Sequence, residues 1–181
     1  MAAVIVTSDL RDFFRGPLND VQKRQRLEVR SDTQRYLLDL LAEGPTVAGP
    51  MALTLAQANE ASGPERLELL RKLGDAALYM AGWWLDSLAR RPVGPDYYVS
   101  MGARAYSTLA NATRGPVFAE LASKFERLMN VLQELYEKLA IATPEGTLKL
   151  YERFLRTESE RLRWQLQAEG LLTPVKGNSL N

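Results

Sequence analysis

The chain has 181 residues, with 23 Lys and Arg against 22 Asp and Glu for a formal net charge of +1, and it contains neither Cys nor His. The two missing residue types exclude disulfides, thiolate nucleophiles, zinc-thiolate and iron-sulfur sites, histidine-ligated haem, serine-histidine hydrolysis and Glu-x-x-His di-iron sites. No metal, no cofactor and no catalytic residue is therefore expected, and the balanced charge gives no overall field to attract nucleic acid or an anionic membrane.

Hydrophobic residues make up 46% and charged residues 25% of the chain, the composition of an ordinary globular domain. The run Ala2 to Thr7 is too short for a signal-peptide core and lacks a basic lead. No apolar stretch approaches the roughly 18 residues of a membrane span. Together these features predict a cytoplasmic protein.

In chain order, Thr7 or Ser8 caps a first helix from about Asp9, with Leu10, Phe13 and Phe14 as its apolar stripe, and Gly16-Pro17 interrupts or bends it. A polar stretch follows to Arg26, then a short alternation at Leu27 and Val29. Arg15, Lys23, Arg24, Arg26, Arg30 and Arg35 make this part locally basic, but Asp20, Glu28 and Asp32 interleave, and no recognition motif argues for nucleic acid. Ser31 opens a helix through Tyr36, Leu37, Leu40 and Leu41 that Gly44-Pro45 ends. Pro50 starts a short helix to about Glu60, and Ser62-Gly63-Pro64-Glu65 forms a capping box for a long helix from Pro64 to about Arg90. After the turn at Pro92 to Pro95, a helix runs from Asp96 to about Ala112.

The segment from Val117 to Ala142 has Phe118, Leu121, Phe125, Leu128, Leu132, Leu135 and Leu139 at three- and four-residue steps, which predicts one continuous helix. Glu134 and Glu137 on it read as a solvated face. Thr143 caps the last helix, whose stripe is Leu148, Tyr151, Leu155, Leu162 and Leu166, ending near Gly170. The expected architecture is all-α: a single compact domain over 1–170, a bundle of roughly six to eight helices, with a flexible tail over 171–181. The tail has a faint likeness to peptides that dock cargo into bacterial nanocompartments, but its spacing departs from them.

The middle of the chain holds the candidate site residues. Leu73-Gly74-Asp75-Ala76-Ala77-Leu78-Tyr79-Met80-Ala81-Gly82-Trp83-Trp84 places two glycines and one acid in an apolar helix, and Asp96 to Tyr106 repeats the mix of small and aromatic residues. Each interior Gly costs about 1 kcal/mol relative to Ala, so a close crossing of the two helices is the expected compensation. Asp75 and Arg104, the charges most deeply set in these runs, are expected to pair, with Tyr98 or Tyr106 as hydrogen-bond partner. Such a pair reads either as a buried register-fixing contact or as the floor of a ligand site. Trp83 and Trp84 point about 100° apart, so one is free to anchor a partner protein or a second copy of the chain.

The runs LGDAALYMAGWWLDSL and DYYVSMGARAY, with RYLLDLLAE and the stretch at Tyr151-Glu152-Arg153, resemble an uncharacterised bacterial family of all-helical proteins. The resemblance covers most of the chain and implies the helical fold; the family carries no assigned activity and implies no catalytic residue.

Three functions compete on these features. A helical adaptor or regulatory module that binds another protein, or pairs with itself, asks for no special chemistry. A small-molecule binder would place an apolar pocket between the helices around 73–88 and 96–112, lined by Tyr79, Trp83, Tyr98 and Tyr106 and closed by Asp75 and Arg104. An enzyme would depend on carboxylates such as Asp75 or Asp96 with magnesium, for which nothing spaces the acids.

Overall fold

The computed structural model describes residues 7–46, 50–83 and 94–172. Trp84, Leu85, Leu88, the turn at Pro92 and the tail beyond residue 172 lie outside the described residues. Within them there are only helices: α1 (Thr7–Arg24), α2 (Ser31–Glu43), α3 (Met51–Glu60), α4 (Gly63–Trp83), α5 (Pro95–Thr113), α6 (Pro116–Ser123), α7 (Phe125–Ala140), α8 (Pro144–Thr157) and α9 (Glu160–Ala168). The all-α expectation holds, and nine helices among the described residues correct the count of six to eight. None of them is long and apolar enough to cross a membrane.

The count differs because two continuous stripes hide breaks. The stripe from Val117 to Ala142 contains a stop at Lys124 (φ −109°, ψ 14°), whose N–H still reaches the Glu120 carbonyl. The last stripe is divided at Glu158, which sits in left-handed backbone at φ 50° and donates its N–H to the Phe154 carbonyl. Ser159 then caps α9, its hydroxyl accepting from Leu162 N–H. In the opposite direction, Gly16-Pro17 does not break α1. A Pro disfavours helical backbone at the preceding residue partly through that residue's Cβ, and Gly16 has none. Burial of Phe14, Leu18 and Val21 along one face then offsets the missing Pro17 N–H.

The chain divides into two compact units, residues 1–136 and 137–181. In the first, α4 and α5 share the most extensive helix–helix contact among the described residues, with α3 against α4, α6 against α5 and α1 against α2. The glycines account for the α4–α5 crossing. A Cβ on Gly74 would lie 2.5 Å from the Tyr106 ring, and one on Gly102 would lie 2.7 Å from the Ala77 Cβ. Gly82 serves α7 in the same way, with Leu132 Cβ 2.6 Å from where its own Cβ would stand. The Gln133 amide also donates to the Ala81 carbonyl at 3.0 Å. In the second unit, Leu150, Leu162 and Leu166 form a small core against which Ala140, Ile141, Phe154 and Leu172 pack.

Candidate functional site

Asp75 is buried on α4, and desolvating a lone carboxylate demands partners. It accepts from the Tyr36 hydroxyl of α2 at 2.5 Å, from the Tyr106 hydroxyl of α5 at 2.7 Å, and from Arg71 Nη1 at 2.9 Å. Arg71 also grips Glu68 through two hydrogen bonds, at 2.7 and 3.0 Å. Burial pushes the Asp75 carboxyl above the usual range, and the bonds from Tyr36 and Tyr106 and the Arg71 charge offset only part of that push. Burial, with Asp75 alongside, drives the Tyr36 and Tyr106 phenols far up, so both stay protonated donors. The Arg71 bonds hold Glu68 below the usual carboxylate range.

The expected Asp75–Arg104 pair is therefore corrected to Asp75–Arg71. Arg104 is exposed on α5, one turn before Thr108, whose hydroxyl donates to the Arg104 carbonyl at 2.9 Å. Arg71 was within reach of the sequence, since i and i+4 side chains meet on a helix face; Tyr36, 39 residues away, carried no such signal.

Each aromatic candidate among the described residues packs against neighbouring rings. Tyr106 is fully buried, stacked on Phe118 at 6.1 Å and tilted against Phe125 at 6.0 Å. The Tyr106 ring fills the space that Gly74 leaves open. Tyr98 is buried, with its ring edge-on to Tyr97 at 5.6 Å. Trp83 is half-buried among Phe14, Tyr79 and Tyr136, with ring centroids 5.4 to 6.1 Å away. Burial also raises the Tyr79 phenol. Where Gly74 and Gly102 face their neighbours, the packing is continuous.

A cleft of about 370 Å³ opens beside that crossing, among α3, α4 and α5, and of the six candidates among the described residues only Arg104 lines it. Its floor includes Leu70, Leu73, Met101 and Ala105, all buried.

In the second unit two expectations are reversed. Glu137 is fully buried, not solvated, and pairs with Arg153 at 3.2 Å and Arg161 at 3.0 Å. In the first unit Glu134 is likewise buried and pairs with Arg24 and Gln25. On α8 the stripe expected in the core faces solvent, with Leu148 58%, Tyr151 36% and Leu155 61% exposed, while Leu150 turns inward. Trp164 on α9, which is not among the candidates at 83 and 84, is 70% exposed and anchor-like. Leu162 and Leu166, four residues apart, mark the buried face of α9, and a residue midway between them points about 160° from either, which was the available signal.

Among the described residues no group of three or more acidic side chains is placed to hold a metal ion. No family model, no curated protein and no solved structure matches this chain.

Proposed function

We propose that this protein is a non-enzymatic helical adaptor or regulatory module that docks an amphipathic helix of a partner protein on the face of α8 formed by Leu148, Tyr151 and Leu155. The observation that carries the reading is the exposure of those three residues. Their spacing stacks them along one side of α8, while Leu150 occupies the core on another side. A helix that is apolar on two faces has one face more than its own unit uses.

Anchors at i, i+3 and i+7 are the pattern by which one helix seats on another. Glu145, Glu152, Lys149 and Arg156 lie on the same helix, and a mixture of signs beside an apolar stripe sets register and partner choice more than affinity. The absence of Cys and His from the chain suits a role without chemistry.

Native mass spectrometry of the protein isolated at natural abundance, alongside a Leu148→Gln/Leu155→Gln variant with unchanged helical circular dichroism, tests the reading. A stoichiometric second polypeptide that the variant loses is the expected result. A doubled mass that the variant loses would make a second copy the occupant. A bare monomer, or a complex indifferent to the variant, would overturn the docking face.

A further inference from the structure

We infer that the cleft among α3, α4 and α5 is a binding site for a small amphipathic organic anion, an apolar chain or ring bearing one carboxylate-type headgroup. This does not rest on the adaptor reading, because the cleft belongs to the first unit and the docking face to the second.

The cleft combines three properties. Its floor is apolar, built from Leu70 and Leu73 of α4 and Met101 and Ala105 of α5. Arg66 of α4 and Arg104 of α5 line it as well, and no Asp or Glu among the described residues does. Neither arginine has an ion-pair partner among the described residues.

Two uncompensated guanidiniums beside an apolar floor are complementary to a ligand with one anionic end and one greasy end. The planar fork of Arg matches a carboxylate through paired hydrogen bonds, and the floor supplies burial for the remainder. A neutral hydrocarbon would leave the two like charges uncompensated, and a cation would add to them. The volume of about 370 Å³ lies near the lower end of the roughly 300–1,000 Å³ typical of small-molecule sites, which suits a medium-chain fatty acid or an aryl carboxylate.

Isothermal titration calorimetry with decanoate below its micelle concentration, with decan-1-ol and decyltrimethylammonium as headgroup controls, tests the site. Both arginines are exposed, so Arg66→Gln/Arg104→Gln is expected to fold normally. Decanoate should bind saturably at one site per chain, and the double variant should weaken it about tenfold or more, a loss in the range of a charge-assisted bidentate contact. Methyl resonances of Leu70 and Met101 should shift on titration. No saturable binding, equal binding of decan-1-ol or decyltrimethylammonium, affinity unchanged in the double variant, or shifts confined to other methyls would each overturn the assignment.

Discussion

At the scale of single residues, Asp75 gathers hydrogen bonds from Tyr36, Arg71 and Tyr106 onto one buried carboxylate. Removing its carboxylate by Asp75→Ala leaves two tyrosine hydroxyls and Arg71 facing a space without an acceptor, and about 2–4 kcal/mol of stability should go with it. The pH dependence has a defined sign. The folded state holds the Asp75 proton more tightly than the unfolded chain does, so its contribution is fully present below the ordinary Asp range and is lost as pH rises through the folded value. Asn releases no proton, so the stability of wild type relative to Asp75→Asn should fall as pH climbs from about 3 to about 7, starting near the ordinary Asp value of about 4. Chemical denaturation across that range checks it; a flat difference would mean the carboxyl titrates normally. That Asp75 would be buried and paired was legible, because one acid in an apolar run has few alternatives. Its partners were not, because Tyr36 and Tyr106 come from other helices and only the fold brings them to α4.

Among the helices, glycines and left-handed residues act in opposite senses. Gly74→Ala would raise helix propensity in isolation, but its methyl would stand 2.5 Å from the buried Tyr106 ring. The expected result is destabilisation by about 1–3 kcal/mol from overpacking. Glu158 holds φ 50° at the end of α8, a conformation that costs an L-residue and suits Gly. Glu158→Gly should therefore stabilise the protein by about 0.5–1 kcal/mol, and a pair of thermal denaturation curves compares the two variants. Helix existence was legible almost throughout from three- and four-residue periodicity. Helix ends were less so, since Lys124 and Glu158 are not breakers by type and stop their helices through backbone geometry. Leu148, Tyr151 and Leu155 show the limit of periodicity most clearly: an apolar stripe says which side of a helix avoids water, not whether this chain or another protein covers it.

For the molecule as a whole, the two units differ in how much core supports them. The first buries Leu18, Leu37, Leu73, Leu78, Tyr106, Leu121, Leu128, Leu132 and Leu135 almost completely, whereas the second relies on Leu150, Leu162 and Leu166 and the Glu137 ion pairs. Local opening follows apolar contact density, so amides of α8 and α9 should exchange with solvent well before those of α4 and α5 in native-state hydrogen exchange. Equal protection in both units would show that they open together. The helical class and the crossing of the two Gly-containing helices could be read from composition and pattern. The division at residue 137 could not, because α7 runs through it without any change in the sequence signal. The crossing itself also limits how this chain can drift over generations. Residue 74 abuts the ring of 106, residue 102 abuts 77 and the ring of 125, and the two rings adjoin, so a methyl gained at position 74 or 102 is tolerated only alongside atoms lost at its neighbours. Descendants of this sequence should therefore change those five positions in compensating combinations, even where each single step would be an ordinary substitution elsewhere on the same helices.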